Sequence, residues 1–312
     1  MSNKKILIIG GNGFIGRNLS RTLVKREDFD IYSFDLSLPK TEVEGVKYLE
    51  GDFFDEHVLQ NAISGMDLII HSLSTVNPGN SNEKYMQGYG RDFIQTIRLC
   101  KMLIDQKSSM IFLSSGGTVY GVQENQPIQE TALPVPINHY GSVKLCIESV
   151  IRTFNTQLHT KMRIARISNP FGPGQDYHKG VGFVDAAIKK SICKETLEIW
   201  GDGENIRDYI YIDDVCKMLE ALIDYTGDEE VFNLSSNEGI SQNMVVDILK
   251  RIDGDFDVQY KDARSVDVRK IVLDNSKIRS IYKGDICSFE EGVKRYYSFL
   301  TDKINSNQTT SS

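Results

Sequence analysis

Over the first half of the chain, short apolar runs alternate with longer stretches whose apolar positions recur at helical spacing. Strands are predicted at residues 5–10, 30–34, 46–50, 67–71, 110–114 and 162–167, and helices at 13–25, 55–62, 83–105 and 140–154. The strands are near-continuous Ile, Leu and Val, the pattern of strands buried on both faces. This alternation specifies an α/β fold built on a doubly wound, Rossmann-like parallel sheet. Beyond about residue 170 the rhythm breaks at Asn169-Pro170-Phe171-Gly172-Pro173-Gly174, a turn cluster that continues neither strand nor helix. After it come a helix at 183–192, a short strand at 197–199, an aromatic-rich strand at 207–212, and helices at 214–224 and 241–252. A strand at 231–234 is expected to return to the first sheet. The expected organisation is interleaved: 1–170 with about 206–236 form one domain, and 171–205 with 237–302 form a smaller C-terminal α/β domain. The polar segment 303–312 is expected to be a disordered tail.

The length of 312 residues suits two domains of ~150 residues each. Thirty-six Lys and Arg against 43 Asp and Glu leave a formal charge of −7. That balance argues against nucleic acid and against an anionic membrane surface as partners. The longest early apolar run, Ile6-Leu7-Ile8-Ile9, falls far short of the ~20 residues of a membrane span, so neither a span nor a signal peptide is expected. Five cysteines, Cys100, Cys146, Cys193, Cys216 and Cys287, contain no CxxC pair. They are read as buried, reduced thiols of a cytoplasmic protein, with no disulfide framework and no metal site.

Candidate chemistry begins at Gly10-Gly11-Asn12-Gly13-Phe14-Ile15-Gly16, between the first strand and the first helix. Glycine there permits a tight turn and lets backbone approach a pyrophosphate seated on the helix N-terminus. Asp35, nineteen residues after Gly16, ends the second strand, where a carboxylate accepts from the adenosine ribose diol and repels a 2′-phosphate. NAD is therefore expected rather than NADP. Asp52, ending the third strand beside Phe53, reads either as an acceptor for the adenine amino group or as a turn acid.

Tyr140-Gly141-Ser142-Val143-Lys144 opens a helix and sets Tyr140 and Lys144 four apart on one face. A free phenol titrates near pH ~10; an adjacent ammonium and a nicotinamide cation both favour the phenolate. A shift of ~3 units requires about 4 kcal/mol of differential interaction.

These segments, with Ser114-Ser115-Gly116-Gly117-Thr118-Val119-Tyr120-Gly121, Arg166–Pro170, 203–209 and Arg264-Ser265-Val266-Asp267, resemble the extended short-chain dehydrogenase/reductase family. Within it the resemblance is to nucleotide-sugar epimerases of the UDP-glucose 4-epimerase type, in family order over essentially residues 4–300. The resemblance implies that Tyr140 is the catalytic base and that Lys144 orients the nicotinamide ribose and depresses the tyrosine pKa. It also implies a hydroxyl beside them for the sugar O4. At the usual spacing that position is Gly116, a departure that hands the role to Ser115, to Thr118, or to no residue, with Ser115 favoured. Asn169, Arg207 and Arg264 are implied to hold the nucleotide diphosphate, which suits the permanently charged fork of arginine. Asp267 is implied to accept from a ribose hydroxyl, and Ile271 to stand by the C2 substituent of the sugar, leaving hexose and N-acetylhexosamine both open. Trp200 is expected to pack in the core.

The implied reaction inverts C4 of a UDP-linked sugar through a 4-ketose, with NAD taking and returning the hydride. A dehydratase is not expected, because Gly116 and Gly117 stand where its acidic pair would be. A 4-ketoreductase of a nucleotide deoxysugar remains an alternative, and a non-catalytic NAD sensor is the alternative of another class. A homodimer is implied through helices 83–105 and 140–154, where Cys146, Val150 and Phe154 form a stripe at four-residue spacing.

Overall fold

A computed structural model describes residues 2–176, 182–262 and 268–309. The first half runs β1 (Lys4–Ile9), α1 (Phe14–Leu23), β2 (Phe29–Asp35), β3 (Val46–Glu50), α2 (Glu56–Ile63) and β4 (Leu68–His71). A broken helix follows: α3 (Tyr85–Gln87), a π-helical turn (Gly88–Phe93) and α4 (Ile94–Gln106). Then come β5 (Ser109–Ser115), the single turn α5 (Gly116–Val119), α6 (His139–Leu158) and β6 (Arg163–Ile167). The second half runs β7 (Asn169–Phe171), α7 (Phe183–Cys193), β8 (Leu197–Trp200), β9 (Ile206–Tyr211), α8 (Ile212–Asp224) and β10 (Val231–Leu234). It closes with β11 (Gly239–Ser241), α9 (Gln242–Asp253), β12 (Val258–Lys261), β13 (Lys270–Ile271), α10 (Ser276–Ile281) and α11 (Phe289–Thr309).

Seven strands form one parallel sheet in the order β10-β6-β5-β4-β1-β2-β3. The alternation of side chains explains why β1 is apolar from Ile6 to Ile9. Ile6 and Ile8 join one buried cluster with α1 and α8, while Leu7 and Ile9 join another with α2, α4 and α6. Strand order reverses between β1 and β4, which opens a crevice beyond their C-terminal ends, the usual ligand position in such sheets.

The smaller unit has its own sheet, β11-β9-β13 with β7 also on β9, a β8–β12 pair, and an aromatic-rich core of Phe171, Tyr209, Tyr211, Phe289 and Tyr296. β10 joins the large sheet as expected, but Ile206–Tyr211 does not belong with it. That strand pairs in the small sheet, and the chain crosses back only at Ile212, where α8 packs its Val215, Leu219 and Leu222 into the α1 side of the large sheet.

Three further expectations change. The helix predicted over 83–105 is interrupted, because Gly88 lets the π-turn lie against α6: a Cβ there would meet Val143 Cγ2 at 3.1 Å and Val76 Cγ2 at 3.2 Å. The segment after 302 continues α11 as helical backbone to Thr309. Of the cysteines, Cys100 and Cys216 are buried, Cys146 and Cys287 half-buried, and Cys193 exposed. Among the described residues no helix is long and apolar enough to cross a membrane.

Candidate active site

Two adjoining cavities open at the crevice. One of 400 Å³ lies over the ends of β2, β3 and β4; one of 550 Å³ extends from the glycine loop toward the small sheet. Both are lined by Gly10, Gly13 and Ser72. The backbone at Gly10 has φ +78°, the left-handed region that favours glycine. A Cβ on Gly16 would lie 2.5 Å from Gly10 O and 2.8 Å from Gly11 Cα, so α1 packs directly under the loop. The N-cap of α1 is Gly13, which has no capping side chain, and the first turn holds no acid. Phe14, Ile15 and Gly16 line the larger cavity. The uncapped N–H groups and dipole of this terminus suit a pyrophosphate, so the residues present fit a dinucleotide. Gly16→Val is expected to weaken NAD binding by about two orders of magnitude, since the branched side chain displaces the loop from the terminus. Calorimetric titration, with circular dichroism to confirm folding, checks this; unchanged affinity excludes the loop as the pyrophosphate seat.

At the adenosine end, Asp35 Oδ2 accepts from Asn12 N at 2.9 Å and Oδ1 from Leu36 N at 2.8 Å. These bonds fix the carboxylate on the rim of the smaller cavity. Asp52 lines the same cavity and accepts from Phe54 N at 2.9 Å, so the turn role and the cleft position coincide. Phe53 is buried beneath it. Arg91, on the π-turn, lies 3.9 Å from the Phe54 ring centroid at the same rim.

In the larger cavity, α6 presents Tyr140 to the wall and buries Lys144. Asn138 caps α6 by accepting from Gly141 N at 2.8 Å, which sets the start of the helix and hence the facing of Tyr140. Lys144 Nζ donates to Leu113 O at 3.0 Å and lies 5.5 Å from the Tyr140 ring centroid. Burial pushes Lys144 down to about 8, with Asp92 and Glu148 holding it up. Burial, reinforced by Asp92, pushes the Tyr140 phenol well above its ordinary value. Lys144 alone therefore does not bring the phenol into the neutral range. His71, ending β4, is buried with Nε2 2.9 Å from Thr96 Oγ1, between Phe53 and Phe112; burial lowers it to about 3, so it is neutral.

Ser115 ends β5 on the cavity wall, with Thr118 one turn on. The glycine at 116 has a steric reason. A Cβ there would stand 2.3 Å from Leu273 Cδ1 and 3.2 Å from Arg166 O, inside a packed cluster. A side chain at 116 would require Leu273 to move, whereas Ser115 and Thr118 both line the cavity.

At the far end, Asn169, Arg207, Tyr209 and Gln242 line the wall. Asn169 Nδ2 donates to Asp208 O at 3.0 Å, and Arg207 Nη1 donates to Ile206 O at 2.9 Å. Asp208 is fully buried and accepts from Ser236 N, Asn237 N and Leu273 N, tying β9 to the turn after β10 and to the segment that follows β13. Trp200 is not a core residue. It ends β8, where burial alternates, and points outward onto the cavity with 41% of its surface exposed. Ile271 is buried with Val119, Tyr120 and Leu273 and does not reach the cavity lining. Arg264 and Asp267 lie outside the described residues. Asp92, His71 and Arg91 carry no sequence signal of their own; the two glycines of the π-turn were the one hint.

Fold and cleft together define a class, a dinucleotide-binding α/β protein with a tyrosine on its cleft and a lysine buried one helical turn behind it. The chain belongs to the NAD dependent epimerase/dehydratase family, whose model matches residues 6–235. A putative UDP-glucose 4-epimerase of Methanocaldococcus jannaschii is 29% identical over 97% of this chain and 100% of its own length. A dTDP-4-dehydro-6-deoxyglucose reductase of Escherichia coli is 28% identical over 86% and 88%. Among solved structures, UDP-glucose 4-epimerase of Thermotoga maritima with UDP-glucose superposes with a TM-score of 0.90 at 29% identity, over 96% of this chain and 99% of that one.

Proposed function

We propose that the protein is an NAD-dependent 4-epimerase of a nucleotide-activated sugar, with UDP as the nucleotide. The observation that carries this reading is a single continuous crevice. Two adjoining cavities of 400 and 550 Å³ share Gly10, Gly13 and Ser72 and run from Asp35 and the uncapped α1 terminus past Tyr140 and Ser115 to Arg207 and Trp200. NAD, when bound, supplies a hydride acceptor and donor for C4 of the sugar. Tyr140 takes the proton from the sugar O4 as C4 is oxidised and returns it to O4 on the opposite face. Lys144 adds positive charge behind the phenol and fixes the nicotinamide ribose. Ser115 donates to O4 and holds it at the tyrosine, with Thr118 as the second candidate. Arg207 and Asn169 bind the diphosphate, Arg264 and Asp267 join them, and Trp200 offers its exposed face to the nucleobase.

On this reading the large sheet serves NAD and the small unit serves the sugar nucleotide. We place the protein in the cytoplasm, which suits its five free cysteines, and pair two copies through α4 and α6, on whose half-buried side Cys146, Val150 and Phe154 lie. The test is conversion of UDP-glucose and of UDP-N-acetylglucosamine, followed by NMR without added reductant. The 4-epimer of at least one is expected. Reduction of a 4-keto sugar nucleotide without epimerisation moves the assignment to a ketoreductase, and tight NAD binding with neither reaction moves it to a sensor.

A further inference from the structure

The far end of the larger cavity carries two neutral polar side chains that the chemistry at C4 does not use. Alternate residues along β9 line it: Tyr209, Arg207, and then Asn205 just before the strand begins. β11 runs antiparallel to β9 with Ser241 opposite Ile206. Gln242 and Asn205 are therefore the next residues beyond that pair, and both line the cavity. No hydrogen bond joins their carboxamides, and Gln242 Oε1 is buried without a partner among the described residues. A buried carboxamide oxygen left unpaired is costly unless a ligand completes it.

The backbone at Gln242 is fixed by its neighbour. Asn243 N donates to Gly203 O at 3.0 Å, and Asn243 Nδ2 donates to Asp202 O at 3.0 Å and to Glu204 Oε1 at 2.6 Å. Asn243 Oδ1 accepts from Tyr260 Oη at 2.8 Å. Arg269 grips Asp202 through two bonds, at 2.7 and 3.0 Å. The turn after Trp200, the start of α9 and β12 thus form one frame. Within it the amide of Gln242 is held by no hydrogen bond, so rotation about its broad terminal torsion brings Oε1 to the cavity at little cost.

The polarity of the wall changes in one step. Arg207 is a permanent cation, whereas Asn205, two residues or about 7 Å of extended chain away, joins Gln242 in offering neutral groups that both donate and accept. A nucleoside diphosphate has the same order, with a ribose between its anionic end and its neutral hydrogen-bonding end. We propose that Gln242 and Asn205 read the imide edge of the substrate's uracil beside Trp200. Gln242 Oε1 accepts from N3–H, and Asn205 Nδ2 donates to an adjacent ring carbonyl. The inference rests on the assignment of a UDP-linked substrate, and it is tested on UDP alone, with neither sugar turnover nor cofactor.

The experiment is calorimetric titration with UDP and with 3-methyluridine diphosphate, in which a methyl group replaces the N3 hydrogen. The parent is expected to bind the methylated ligand about tenfold more weakly than UDP. Gln242→Met keeps the length of the side chain and removes its donor and acceptor. It is expected to bind UDP about tenfold more weakly than the parent and to bind the two ligands within about twofold of each other. A Met variant that binds UDP as the parent does, or that keeps the parent's preference against the methyl group, overturns the proposal. Asn205→Ala is expected to weaken UDP several-fold while the preference against the methyl group remains. Unchanged UDP affinity in that variant overturns the proposal even where Gln242→Met does not fold. A parent that binds no UDP overturns the UDP assignment together with it.

Discussion

Tyr140→Phe is expected to lower kcat for C4 epimerisation about a thousandfold, with NAD and UDP-sugar affinities within about threefold of the parent. The substitution removes one oxygen and keeps the ring that lines the cavity. A thousandfold loss corresponds to about 4 kcal/mol of transition-state stabilisation, within the range of positioned acid–base catalysis. Lys144 does not substitute for the phenol. Its ammonium is buried and committed to Leu113 O, one turn behind the tyrosine. A loss confined to KM would show that Tyr140 only binds sugar, and retained turnover would remove it from the mechanism.

Glu148→Ala is expected to be the most destabilising single change in the site's foundations. Glu148 is 1% and Arg166 3% exposed, and Arg166 Nη2 lies 2.6 Å from Glu148 Oε2 with Nε bridging both carboxylate oxygens. Ser114 Oγ also donates to Glu148, and Arg166 Nη1 reaches Tyr120 Oη at 2.9 Å. Tyr120 in turn donates to Asn233 Oδ1 at 2.7 Å, so one buried chain of bonds joins α6, β5, β6, α5 and β10. Removing the carboxylate leaves a guanidinium in the interior without its counter-charge, a loss of about 3–5 kcal/mol and roughly 10 °C in Tm. The double change Glu148→Leu with Arg166→Met is expected to recover part of that loss, because neither charge is then stranded. Thermal unfolding of both variants decides it. A loss below about 1 kcal/mol for the single change would mean that water already solvates the arginine.

Residues that act through local spacing are legible in the sequence. The glycine loop, Asp35, and Tyr140 with Lys144 each depend on a few consecutive or helically spaced positions; the structure places the loop, Asp35 and Tyr140 on the two adjoining cavities and buries Lys144 behind the tyrosine. Residues that depend on which segments meet are not legible in this way. Trp200 has the character of a core residue; alternation along β8 sets it on the face opposite Leu197 and Ile199, and only the tertiary packing makes that face a wall of the cavity. Gly116 reads as a missing hydroxyl until Leu273, distant in sequence, is seen to occupy the space a side chain would need. Ile206–Tyr211 has a strand pattern that suits either sheet; its pairing with β7, β11 and β13 assigns it to the smaller one.

Hydrophobic period and glycine spacing by themselves determined the parallel sheet and the turn after β1, and four-residue spacing put Tyr140 and Lys144 on one helix as a pair, because each is written within one or two adjacent elements. Tertiary structure alone decided the electrical state of that pair. Burial raises Tyr140 and lowers Lys144, and the charge of Asp92, on the π-turn that packs against α6, raises both. The physical reason is that desolvation and charge proximity are properties of position in space, and a contact between a loop after β4, a turn before α4 and the face of α6 has no signature in any one of those segments.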